Sequence, residues 1–291
     1  MRLVHGMEDK QGGRRPRGAR WFATHALLFV ASVVVAAPLL WMSSLALQDI
    51  SAIFSYPLRL FPTEPRWENF SEAWRAQPFA VFYFNSVVVA LAIIAGQLVT
   101  VCLAAYALTQ LQFLGREKVF LLILSTLMVP AQATFVPAFV ILKNLDWINT
   151  YQALIVPFLT SGFGIFLIRQ SFLRVPQSLI DSALVDGAGH LRILWSIMIP
   201  LSKPALATMV LLSFIWHYND FFWPLIVTNT VEMRTLPIGL ASFVATSEGG
   251  EGTPWHLIMA ANLFIVAPLI VVYFVAQRFI AQGDLTSGVK G

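Results

Sequence analysis

The sequence predicts an all-α integral membrane protein, a bundle of six transmembrane helices with one short helix on a loop outside the bilayer. Three observations predict it. The 291 residues are 57% hydrophobic and 12% charged, with a mean hydropathy of +0.72, whereas roughly a quarter of the residues of a soluble domain are charged. Charge-free intervals long enough for a spanning helix, which needs about 20 mostly apolar residues, recur along the chain. The Lys and Arg residues between them are sharply uneven in distribution.

In order, a basic arm at 1–20 carries six Lys and Arg and precedes a first span at 21–47. That apolar run is too long for the roughly 7–15-residue core of a cleaved signal, so the span is expected to be retained. A loop at 48–77 follows, with Pro57, Pro62, Pro65 and the amphipathic stretch WENFSEAW. Further spans are expected at 80–108, 119–142, 148–172, 204–228 and 255–279, all in a single transmembrane domain from 21 to 291. Pro130, Pro137 and Pro268 fall within spans, and Asp220 interrupts the fifth. At about 1.5 Å per residue from Pro204, that carboxylate is expected roughly 24 Å along the helix, near the far interface. The region 231–253, with Gly249, Gly250 and Gly252, reads as a loop.

Six spans put both ends on one side. That side collects 14 of the 19 basic residues, against 5 (Arg59, Arg66, Arg75, Lys143 and Arg234) on the other. By the positive-inside rule both termini are expected in the cytoplasm. The same placement explains the net charge of +4 as membrane orientation, with no call for nucleic acid.

Several chemistries are excluded. A lone cysteine, Cys102, forms no intramolecular disulfide and no multi-cysteine metal site. His5, His25, His190, His217 and His256 show no H-E-x-x-H pairing, and G-x-S-x-G is absent. No G-x-x-x-x-G-K-[ST] loop is present to cradle nucleotide phosphates, so energy for any pumping comes from another subunit. A membrane-embedded enzyme and a self-sufficient secondary transporter are the alternatives; the first lacks a nucleophile or metal motif, the second the usual internal repeats.

The loop at 173–203 is unlike the others, because it mixes charges and apolar residues at helical spacing. Pro176 fits a helix start, Asp181 is expected early in the helix where the dipole favours a carboxylate, and Gly187 with Gly189 fits a left-handed end. Leu179, Ile180, Ala183 and Leu184 form one apolar face. Such a helix lies on lipid or docks in a groove on a partner. Asp181 and Asp186 favour the partner, since acidic groups are repelled by anionic lipid.

These residues resemble the EAA loop of the membrane subunits of ATP-binding-cassette importers, E-A-A, three residues, G, nine residues, I-x-L-P. Asp181, Ser182 and Ala183 stand at E-A-A, Gly187 at the glycine, and Ile197, Ile199 and Pro200 at the end. The similarity extends along the chain to the MalG-type permeases of carbohydrate importers, through AAYALTQLQFLGRE at 104–117, LMVP at 127–130, IFLIRQSFLRVP at 165–176, WHYNDFFWPL at 216–225 and the terminal VKG. The resemblance implies the type I importer permease fold in a bacterial or archaeal inner membrane, with the loop helix as the cytoplasmic coupling helix. It implies a second related permease, two ATPases that hold the ATP and magnesium, an extracytoplasmic solute-binding protein, and a sugar or polyol as solute. Asp181, Ser182, Ala183, Asp186, Gly187, Ile197 and Pro200 are then the coupling residues, with Ala183 and Gly187 small for close approach.

Polar groups inside spans are expensive and mark candidate pathways. Asn85, Gln132, Asn219, Asp220 and Asn262 are the candidates for the translocation path, with interhelical hydrogen bonding as the competing role for each.

Overall fold

The computed structural model describes residues 17–57, 60–247 and 253–285, and among them every regular element is helical. Most of the basic arm, the three loop glycines near 250 and the terminal VKG lie outside the described residues.

Helix α1 (Arg17–Ala46) is apolar and exposed along most of its length; it is anchored only at its C-terminal end, where Ser44, Leu45 and Ala46 are buried. Two short helices follow, α2 (Ile50–Ile53) and α3 (Glu68–Ala76), the second formed by the amphipathic stretch. Asp49 caps α2. The Ser51 backbone N–H, its hydroxyl and the Arg66 guanidinium hold the Asp49 carboxyl below its ordinary range.

Helix α4 (Phe79–Gln110) is the axis of the bundle. It packs against α8 (Gly162–Phe172), α12 (Lys203–Tyr218) and α14 (Leu236–Ser247), while α15 (Trp255–Leu285) lies against α12, α1 and α3. Small residues permit this crowding. A Cβ placed on Gly239 of α14 would fall 2.1 Å from the Phe82 ring, and one on Gly96 would fall 2.3 Å from the end of Leu159.

Among the described residues, three helices are long and apolar enough to cross a membrane unbroken: Trp21–Ala46, Phe79–Gln110 and Trp255–Phe279. The other three expected spans are broken. The third is a pair, α5 (Arg116–Thr126) and α6 (Ala131–Asn144), meeting at 96°. Pro130 causes the break, because a proline drives the residue before it out of the helical region and supplies no N–H of its own. Pro137 and Pro268 are instead accommodated inside helices.

The fourth consists of α7 (Tyr151–Ile155), a 3₁₀ turn (Val156–Phe158) and α8, bent by 40°. Its freed carbonyls are taken up by α4: Gln97 Nε2 donates to Phe158 O at 2.9 Å and Thr100 Oγ1 to Leu159 O at 2.6 Å, while Gln97 Oε1 accepts from Ser213 at 2.7 Å.

The fifth expected span is not one continuous helix, and it breaks at Asp220. Helix α12 ends at Tyr218, and a separate short helix α13 (Phe222–Val227) follows, so Asp220 sits in a break between two helices. The region 231–253 is corrected too, since α14 occupies 12 of its residues. Pro237 and Gly239, which look like turn residues, serve as an early helical proline and a contact glycine.

Candidate functional site

The loop at 173–203 folds as α9 (Gln177–Val185), α10 (His190–Ile193), a π-helical turn (Leu194–Met198) and α11 (Ile199–Leu201), which leads through Ser202 into α12. Pro176, with φ −59° and ψ 126°, precedes α9 and fixes its start. Asp181 is the fifth residue of α9, beyond the first turn. What steadies it is Gln177, whose Nε2 donates to Asp181 Oδ1 at 3.0 Å, and the expected dipole effect does not apply there.

The end of α9 is a Schellman cap. Gly187 N–H donates to Leu184 O at 3.0 Å and Ala188 N–H to Ala183 O at 2.9 Å, with Gly187 at φ +79°. Gly189 has an extended backbone and opens α10. The π-turn relaxes the helix just ahead of Pro200, whose ring would collide with a regular preceding turn.

The apolar face expected on α9 is divided. Ile180 is buried, and Ala183 packs inward on the cluster of Phe172, Ile193, Leu194 and Met198. Ala183 thus contacts the chain's own core, half-buried. Leu179, Asp181, Ser182, Leu184, Val185 and Asp186 all point outward, Val185 with 87% of its surface exposed. Ile197 is half-buried against the same cluster and Pro200 is exposed.

Two ties that the sequence did not single out hold this segment to the bundle. The Tyr106 hydroxyl of α4 lies 2.9 Å from His190 Nδ1. Arg169 of α8 is buried: its Nη2 donates to Glu117 Oε1 at 2.9 Å, its Nε reaches Leu108 O at 3.4 Å, and its guanidinium stacks 3.9 Å over the Phe120 ring. Arg169 falls inside the span expected at 148–172. A cation buried at the end of a spanning helix is the signal that finds it.

The candidate path residues separate into three kinds. Asn85 is buried and its amide fully used: it donates to Glu232 O at 2.7 Å and Arg234 O at 2.9 Å, and accepts from the Tyr151 hydroxyl at 2.5 Å. Asn262 and Asn219 each donate to the carbonyl four residues back in their own helix. Gln132 is exposed, directly after the α5–α6 break, and Asp220 is half-buried at the α12–α13 break, with Oδ1 3.4 Å from Trp223 N. Helices α6 and α13 adjoin through Phe135 and Trp223, whose ring centroids are 5.7 Å apart, so the two breaks occupy neighbouring elements.

With this geometry in place, the comparisons with known proteins are consistent along the chain. Residues 17–283 match the family described as "Binding-protein-dependent transport system inner membrane component". A permease protein of the sn-glycerol-3-phosphate transport system, UgpE of Yersinia pestis bv. Antiqua (strain Antiqua), is 34% identical over 269 residues, covering 90% of this chain and 95% of the relative. UgpE of Salmonella typhi is 32% identical over 277 residues, covering 93% and 98%. Among solved structures, a chain of a bacterial ABC transporter involved in import of the acidic polysaccharide alginate superposes with a TM-score of 0.80 at 24% identity, over 92% of this chain and 99% of that one. The chain belongs to the inner-membrane components of binding-protein-dependent transport systems. It is therefore a multi-pass transport subunit rather than an enzyme.

Proposed function

We propose that the chain is one of two pore-forming permeases of an ATP-driven importer for a sugar or polyol derivative, with both termini in the cytoplasm. Its partners are a related permease, two ATPases that hold the ATP and magnesium, and a solute-binding protein on the outer side. The observation that carries the reading is α9: an exposed, acid-bearing helix with a fixed glycine end, seated on the bundle core by Ile180 and Ala183. A helix of that form suits a groove on a partner. Asp181, Ser182, Asp186 and Gly187 form its docking side, Ala183 and Ile197 its seat, with the exposed Pro200 beyond them in α11. The named relatives carry sn-glycerol-3-phosphate and the solved neighbour alginate, so the solute class is polyhydroxylated.

The path runs beside the two neighbouring breaks, at 127–130 and 219–221. Non-helical backbone at membrane depth persists only inside protein or beside a water-filled cavity, and broken helices are where transporters bind solute. The first break lies about 16 Å beyond the start of α5, and Met128 is 84% exposed there. Gln132 and Asp220 face the path, Asn219 borders it, and Asn85 and Asn262 brace the bundle around it.

Two results test these points. In a Cys102→Ala background, a membrane-impermeant thiol reagent added to intact cells should label Glu64→Cys and miss Asp186→Cys; the reverse pattern would overturn the orientation. Asp220→Asn keeps an acceptor for Trp223 N–H while removing the charge. Transport should therefore fall at least tenfold with assembly unchanged, since a lost charge-assisted hydrogen bond costs about 1.5–3 kcal/mol. Full transport activity and unchanged solute-stimulated ATP hydrolysis would make Asp220 a simple helix cap.

A further inference from the structure

The two halves of the 173–203 segment differ in what they expose. The outward side of α9 carries Leu179, Leu184 and Val185 among the carboxylates of Asp181 and Asp186, with no Lys or Arg in the helix. From His190 to Lys203 the sign reverses: Arg192 and Lys203 are exposed and no acidic residue is present. Flanking Arg192, two large apolar side chains stand one turn apart, Leu191 at 64% and Trp195 at 58% exposure. On the opposite side Ile193, Leu194 and Met198 are buried in the core.

The orientation of this second half is also distinctive. Residues 190–201 meet α12 at 81°. Helix α12 packs along α4 and α15, the long unbroken apolar helices, and so runs across the bilayer with them. A helix at nearly a right angle to it adds little depth along the direction of α12.

We propose that residues 190–201 form a lipid-facing anchor: Trp195 and Leu191 seat in the boundary between headgroups and acyl chains of the inner leaflet, and Arg192 with Lys203 takes anionic headgroup phosphates. Tryptophan belongs at that boundary because its ring is apolar and its N–H is wet. Basic side chains beside a shallow apolar edge bind anionic lipid surfaces, at about 1 kcal/mol per residue. Arg192 and Lys203 also have the aliphatic stems to reach past the ring to phosphate. The acidic α9 is repelled from the same surface. The Schellman cap at Gly187 and the tie from Tyr106 to His190 thus divide the segment, with a protein-docking half before them and a lipid-bound half after. The lipid half holds the seat of α9 against the bilayer while the docking half is pushed. This deepens the reading of α9 as the docking helix and rests on it for the side of the membrane.

The test uses the complete transporter in nanodiscs, with and without phosphatidylglycerol, and spin labels at Leu191→Cys, Trp195→Cys and Val185→Cys in the Cys102→Ala background. Ser196→Cys, also exposed, stands in if loss of the tryptophan prevents assembly. Labels at 191 and 195 should collide with oxygen in preference to a water-soluble nickel chelate, whether or not the ATPases are bound. The phosphatidylglycerol fraction needed to half-saturate the change in their mobility should rise about fivefold in Arg192→Gln. A preference for nickel at 195 would show a bare aqueous surface, and shielding from both reagents would show a covering protein; either overturns the anchor. The label at 185 reports separately. It should be reached by nickel without ATPases and by neither reagent with them, and if it stays open the docking helix is wrong while the result at 195 stands.

Discussion

Gly187→Val is expected to leave a protein that inserts and pairs with its sister permease but loses ATPase association and solute-stimulated hydrolysis roughly five- to thirtyfold. The cause is conformational. Gly187 sits at φ +79°, and a side chain there costs about 1–2 kcal/mol, at 1.4 kcal/mol per decade in a docking equilibrium. Among the described residues, nothing beyond its own chain neighbours lies within 4 Å of the position a Cβ would take, so crowding by them contributes nothing. That sets an internal control. Gly187→Ala bears a backbone cost somewhat below that of β-branched Val, and Gly187→Asn less still, since asparagine tolerates the left-handed region. If Val and Ala are alike, the cap is the whole effect. A Val variant more than tenfold worse than Ala would locate a partner surface against residue 187, by overpacking worth about 1–3 kcal/mol. Full transport with a normal complement of ATPase in Gly187→Val would remove α9 from the coupling path.

The glycine was legible in the sequence because its spacing from Asp181 and its backbone demand are local properties. The long apolar helices were legible for the same reason, since hydropathy accumulates residue by residue. What escaped was continuity. A charge-free interval measures polarity, and it passes through Pro130 without registering that the helix has stopped, while in the fifth span Asp220 registers a charge but not the end of α12. Prolines are common in membrane helices, and Pro137 and Pro268 sit inside theirs, so Pro130 alone carried no distinguishing mark. Helix α14 was hidden by Arg234 and Glu232 on one side and by the Gly-rich stretch on the other. The inward turn of Ala183 and the full satisfaction of Asn85 depend on partners 66 or more residues away in one case and on a separate helix in the other.

Arg169 shows the same blindness with the largest energetic consequence, and it leads to an unequal pair of mutants. Glu117 is 61% exposed and Arg169 only 9% at its side chain. An exposed pair is worth about 0–1 kcal/mol, and Glu117→Gln would be dismissed on that ground. The variant, however, strands a buried guanidinium that retains only a 3.4 Å contact to Leu108 O and the Phe120 ring. Removing one partner of a buried cation costs more than removing both, because the charge left behind has lost its compensation. Glu117→Gln is therefore expected to destabilise the purified complex by about 1–3 kcal/mol, read as a lowered thermal midpoint. Arg169→Gln loses the stacking and the hydrogen bonds but leaves Glu117 in water, where it needs no partner. The double variant should recover part of the Glu117→Gln loss, with a coupling of about 0.5–3 kcal/mol. Since α8 runs directly into the segment that bears α9, Glu117→Gln should also lower the solute moved per ATP hydrolysed, which a mere loss of folded protein would leave unchanged. Strict additivity of the two substitutions would mean that water already reaches the guanidinium, and that Arg169 holds α8 to α5 by stacking alone.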